Sequence, residues 1–167
     1  MERIAFFAFS ILCFALLSSC GTDEKTPPKP VTVDMQESPT VSGLKKDLEE
    51  RGYEIFDYID EKTGDTILMQ QYYIAFLKSG PDRSQSPEVA DSLQALHMAH
   101  LARMYEEGYA DISGPFGDDG EIRGITIYNT PTLKMADSLA NMDPMVTAGR
   151  LVIEVHPWWA AKGFPLR

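Results

Sequence analysis

From Tyr72 to the end, β-type and helical runs follow one another in an order that few folds accommodate. "QQYYIAFLKSG" (70–80) is an apolar run of strand length. "PDRSQS" follows as a loop, and Pro87 suits the first turn of a helix running to Gly108, a natural C-cap position. "YADISG" and "EIRGITIYN" read as two further strands around the turn-rich "PFGDDG". Thr130 is the expected cap of the next helix, with Pro131 in its first turn. That helix, "TLKMADSLANMD", is expected to stop at Pro144, and "RLVIEVHPWW" is the last strand.

The order is therefore β-α-β-β-α-β. It predicts an α+β, ferredoxin-like domain: a four-stranded antiparallel sheet with both helices on one face. The other face of such a sheet needs cover, and a second copy of the chain is the simplest cover, so a homodimer is expected. Upstream, "GLKKDLEERG" (43–52) reads as a short polar helix stopped by Gly52. "YEIFDYIDEKTGDTILM" reads as a hairpin turning at Lys62-Thr63-Gly64-Asp65. Residues 43–69 are thus a helix-plus-hairpin extension and 70–167 the main domain. No repeat of solenoid length is visible.

The N-terminus reads as a targeting segment. Arg3 precedes an apolar run over 4–17, too short for a comfortable membrane span. It ends in Leu17-Ser18-Ser19-Cys20, which resembles a bacterial lipobox. Residues 1–19 are then a signal peptide, and Cys20 takes the lipid. Cys13 leaves with the signal, so the mature chain has no thiol for a disulfide, redox motif or nucleophile. Residues 20–42, rich in Pro, Thr, Ser and charge, read as a disordered tether. The expected location is the cell envelope, most naturally the outer membrane of a Gram-negative bacterium, since Gly21 stands where Asp would resemble an inner-membrane retention signal. The acidic "DE" nearby is similar to some surface-export signals. A net charge of −10 over 167 residues argues against nucleic acid, whose binding needs a basic footprint. It also argues against electrostatic docking on anionic lipid, leaving the N-terminal lipid as the sole expected membrane contact.

Two of the three histidines, His97 and His100, lie three apart within "ALHMAHLARM". At 100° per residue they fall on the same stripe as Val89, Leu93, Leu96, Leu101 and Met104. His97 is either a core histidine satisfied by a carbonyl or a pocket residue. His100 either reaches the wet end of the stripe, the pocket, or a dimer seam. A His-x-x-His metal pair fits the spacing, but such sites need a third ligand and no Cys is available, so no metal is expected. On the second helix Leu133, Ala136, Leu139 and Ala140 form the apolar stripe, with Asp143 on its edge at the C-terminal end. A carboxylate there opposes the helix dipole at a cost of roughly 0.3–1 kcal/mol. Asp143 is then either a turn residue before proline or an acid compensated by an imidazolium on the neighbouring helix. Gly114, Pro115 and Phe116, with Arg123 behind them in "GDDGEIRG", form either a plain hairpin loop or a pocket wall. His156 before Pro157 is structural or pocket-lining. Trp158 and Trp159 belong to the core, an interface or a pocket.

These pieces together resemble the YCII-related (YciI-like) domain family over residues 72–160. The first-helix His, "EG", "SGPF", "RG", "DP", "AG" and "VHPWW" occur in order. Ser113 stands where alanine is usual in the family. The resemblance implies a dimeric α+β barrel fold and a candidate active site formed by a first-helix histidine and the aspartate of "DP". These match His97 and Asp143. Relatives by fold include muconolactone isomerase-like proteins, and a YciI-like member is associated with chloride elimination from ring compounds. The implied chemistry is proton abstraction: a lyase, isomerase or hydrolase acting on a small molecule, cyclic ones included. In such a pair the carboxylate holds the imidazole tautomer and stabilises the charged form. No phosphate loop, nucleotide fingerprint or evident serine nucleophile is present, and no cofactor is expected. The competing reading is a non-catalytic ligand-binding or scaffold lipoprotein.

Overall fold

The computed structural model describes residues 40–166. The expected signal peptide, Cys20 and nearly all of the expected tether lie outside the described residues. The elements are α1 (Val41–Glu50), β1 (Ile55–Ile59), β2 (Thr66–Ser79), α2 (Pro87–Glu106), β3 (Ala110–Pro115), β4 (Ile122–Tyr128), α3 (Leu133–Asn141), α4 (Pro144–Thr147) and β5 (Leu151–Ala161). Among the described residues no helix is long and apolar enough to cross a membrane.

From β2 onward the order is β-α-β-β-α-β, with α4 a single added turn. The sheet runs β3-β4-β2-β5, every pair antiparallel, and this is the ferredoxin-like arrangement. β1 joins the edge of β2 that β4 also uses, pairing Ile55–Ile59 with residues 66–70. The second arm of the expected hairpin and the strand at 70–80 are therefore one strand of 14 residues. Its turn is closed by the Asp60 carboxylate, which accepts from the backbone N–H groups of Lys62 and Thr63.

Burial along β2 changes parity halfway. Leu68, Gln70 and Tyr72 are buried in the first half, Tyr73, Ala75 and Leu77 in the second. Successive strand residues face opposite sides. The second set joins Met104, Tyr128, Ala136 and Ala140 in the core, or Met145 and Leu151 near its end. α2 packs against β3, and α3 against β2 and β5, whereas α1 packs on β1 and β2. The face opposite the core carries Tyr72, Ile74, Phe76, His156 and Trp158.

Local chemistry explains the helix ends. Ser86 caps α2 by accepting from the Val89 N–H, Pro87 opens it, and Gly108 closes it at φ 76°. α3 departs from expectation. Its cap is Thr132, which accepts from Met135 N, while Thr130 is buried and donates to the Thr132 carbonyl. α3 also ends at Asn141, and Pro144 begins a new helix instead of stopping the old one. Proline lacks only an N–H that a first turn does not need, so it starts a helix as readily as it ends one.

The buried line of α2 is rotated from the expected stripe. His97, His100 and Met104 are buried and Ala90, Leu93 and Leu101 partly so, but Val89 is 48% and Leu96 53% exposed. Those two lie about 80° and 100° round the helix from His97. The sheet covers a strip centred on His97 and Met104 and leaves that flank in solvent.

Candidate active site

His97 and Asp143 meet. The imidazole Nδ1 donates to Asp143 Oδ2 at 2.5 Å, and Asp143 Oδ1 accepts from the Met145 N–H at 2.8 Å. The residues are 8% and 2% exposed. Asp143 is the N-cap of α4, not the last residue of α3. The expected dipole penalty does not arise, because the carboxylate takes an unpaired N–H at the start of a helix. An ionised carboxylate only accepts, so Nδ1 carries the hydrogen. Nε2 is left for the cavity that His97 lines.

The helical rotation separates the two histidines. Gln94, Met98 and Leu101, which line the cavity with His97, lie about 60°, 100° and 40° to one side of it. His100 lies about 60° to the other side. It is buried, is not on the cavity wall, accepts at Nδ1 from Arg103 at 3.4 Å, and has no partner at Nε2. Burial holds this imidazole below the ordinary histidine range. The Asp143 charge opposes that shift, Arg103 and His97 add to it, and the Leu139 carbonyl opposes it. The expectation that His100 reaches the substrate pocket does not hold. Tyr128, deep in the core, is held neutral by burial and by the Asp143 charge.

The cavity, about 460 Å³, lies between the middle of α2 and the adjoining ends of β2, β3 and β4. Ser113, Gly114, Pro115 and Arg123 form its sheet wall. An extra residue in β3 at Asp111 shifts the pairing with β4, which lets both Ala110 and Ser113 face the helices. The Ser113 hydroxyl bonds that of Thr126 at 3.0 Å. Gly124 has no room for a side chain, since a Cβ would sit 2.6 Å from the Gly114 carbonyl oxygen.

Phe116, His156 and Trp158 are not on this wall. Phe116 lies just beyond β3 and is exposed. His156 and Trp158 point to the other sheet face, because they alternate with the core-facing Ile153 and Val155. There His156 Nε2 pairs with Glu154 at 2.7 Å, and that hydrogen bond, with Lys78, holds the Glu154 carboxyl below its usual range. Trp158 packs on the Tyr72 ring, with centroids 6.2 Å apart, beside a second cavity bounded by Lys162 and residues 163–166.

Sequence reasoning missed Arg83 and Arg150, which line the first cavity with Arg123. They come from loops 67 positions apart in the chain. Those loops are joined where Gly80 N donates to the Arg150 carbonyl and Asp82 N to the Gly149 carbonyl. Gly80 is required there, since a Cβ would run into the Gly149 carbonyl. Gly149 itself holds φ 72°. The two loop glycines were the available signal. Among the described residues no group of three or more His, Cys, Asp or Glu side chains is placed to hold a metal ion.

No curated protein matches the sequence. Among solved structures, 5-chloro-2-hydroxyhydroquinone dehydrochlorinase (TftG) from Burkholderia phenoliruptrix AC1100, in complex with 2,5-dihydroxybenzoquinone, is similar at 20% identity. The alignment has a TM-score of 0.41 and covers 52% of this chain and 92% of that one. The model of the YCII-related domain matches residues 72–159, more than half of the 167 residues. The chain belongs to the YCII-related domain family.

Proposed function

We propose that the protein is an enzyme that moves a proton on a small molecule, with His97 Nε2 as the general base and Asp143 fixing its ring. The observation that carries this reading is the buried His97–Asp143 hydrogen bond at the wall of a cavity of ligand size. A C–H bond of the ligand breaks, its proton goes to Nε2 and the electron pair stays on the ligand. Return of the proton to another atom completes an isomerisation, and departure of a leaving group completes an elimination. A positioned base of this kind contributes about 10²–10⁴-fold. Hydrolysis uses the same pair to deprotonate water.

The test is exchange. Lactones and halogenated ring acids are incubated with the protein in D₂O, and deuterium uptake or product is followed by mass spectrometry. The expected result is exchange lost in His97→Asn with ligand binding retained. Ligands that bind without exchange or turnover in either protein assign it instead as a binding lipoprotein.

Two further parts of the proposal concern placement. Lipid at Cys20 anchors the chain to the cell envelope, supported by the run ending in Leu17-Ser18-Ser19-Cys20. A second copy covers the sheet face of Tyr72, Phe76 and Trp158, supported by the 42% exposure of Trp158 on a strand. Release of Cys20→Ala from membranes and sedimentation of the detergent-solubilised chain check the two claims.

A further inference from the structure

We infer that the His97 cavity takes a small carboxylate, its carboxyl held by Arg150 and Arg83 and its apolar body laid toward His97. This rests on the proposed site and goes further by naming the substrate class. The first support is charge. A chain of net charge −10 gathers Arg83, Arg123 and Arg150 around one cavity, three of the five arginines among residues 40–166. Among the described residues no Asp or Glu lines that cavity.

The second support is an unmade bond. Arg150 Nη1 donates to the neutral Gln85 Oε1 at 2.8 Å, but Arg150 Nε is buried and has no partner. A buried guanidinium N–H without an acceptor is costly, and native proteins rarely leave one. A carboxylate is the acceptor whose two oxygens match adjacent guanidinium donors. The nearby acids do not remove the charge from the cavity. Asp119, 3.9 Å from Arg123, is fully exposed, and Arg123 also donates to the Gly120 carbonyl. Asp82 feels Arg150 but is engaged first by the Ser84 N–H and hydroxyl.

The third support is the remaining lining. Leu77, Met98, Leu101, Ile125 and Met145 offer hydrocarbon to the body of the ligand. The volume of about 460 Å³ suits one substituted ring or a short branched acid. An anionic substrate in a cavity lined by arginines also suits proton abstraction, since the negative charge left on the ligand is attracted by the guanidinium groups around it.

The test uses the full-length protein in detergent. Benzoate, benzamide and inorganic phosphate are titrated by calorimetry, and the His97 ring C–H signals locate the binding. Benzoate is expected to shift those signals and to bind about tenfold or more tightly than benzamide. Arg83→Gln and Arg150→Gln are each expected to weaken benzoate about tenfold and leave benzamide unchanged, the worth of one charge-assisted hydrogen bond. Arg83 is exposed, so its variant keeps the test open if Arg150→Gln misfolds. The inference is overturned by benzoate with no preference over benzamide, including no binding of either. It is equally overturned by a folded Arg83→Gln that binds benzoate as before, or by phosphate binding in place of benzoate. Benzoate selectivity without any deuterium exchange keeps this inference and refutes the proposed catalysis.

Discussion

Asp143→Asn removes a charge and one acceptor while keeping the shape of the side chain. The carboxylate serves two donors, His97 Nδ1 at Oδ2 and Met145 N at Oδ1. An asparagine can serve one. If its carbonyl takes the histidine, its amide faces the Met145 N–H, donor against donor, and a buried donor without a partner costs about 1–3 kcal/mol. If its carbonyl keeps Met145, its amide faces His97 Nδ1, which must then accept. The second arrangement wins, and it forces the imidazole hydrogen onto Nε2. Exchanging a charge-assisted bond for a neutral one lowers stability by about 1–2 kcal/mol. The kinetic loss is larger, because Nε2 can no longer accept a proton, and a drop of about 10²–10⁴-fold is expected. The assay is ¹⁵N NMR of the His97 ring, which distinguishes the tautomers, together with the exchange rate in D₂O. A wild-type ring already protonated at Nε2 alone refutes the reasoning. So does a variant whose exchange rate stays within a few-fold of wild type.

Two other outcomes follow from the packing. Gly80→Ala places a Cβ against the Gly149 and Arg150 backbone, which cannot rotate away, and is expected to cost about 1–3 kcal/mol in urea unfolding. Unchanged stability there contradicts the tight joining of the loops that carry Arg83 and Arg150. His100 supplies a pH dependence. Its folded-state pKa lies below the ordinary value, so the unfolded chain binds the proton more readily. The associated stability is fully present above about pH 6.5 and is lost as pH falls through the lower, folded-state value. His100→Met is expected to flatten that fall in unfolding measured from pH 7.5 to 5, and an equally steep fall in the variant sinks the assignment.

Much of the fold was legible because its signals are local. Pro87, Gly108 and the alternating runs act on their own backbone, and they placed α2 and the strands of the main domain where the structure has them. The misreadings came where one local signal has two meanings. Pro144 ends a helix or begins one, and Thr130 and Thr132 both offer a capping hydroxyl two residues apart. Choosing between them depends on where the chain goes next. The candidate pair His97 and Asp143 was legible as residue types in ordered motifs, not as a contact 46 positions apart.

The sequence alone determined the order of elements, and with it a ferredoxin-like sheet with two helices on one face. Periodicity and turn chemistry need no distant partner to act. Only the tertiary structure decided the rotation of α2 that turns His97 to the cavity and His100 away from it. It also decided that Asp143 starts a helix, and that Arg83, Arg123 and Arg150 line one cavity. These depend on which surfaces pack together. A few tens of degrees of helix rotation, or one backbone contact between two glycine loops, changes which side chains share a space without changing the pattern along the chain.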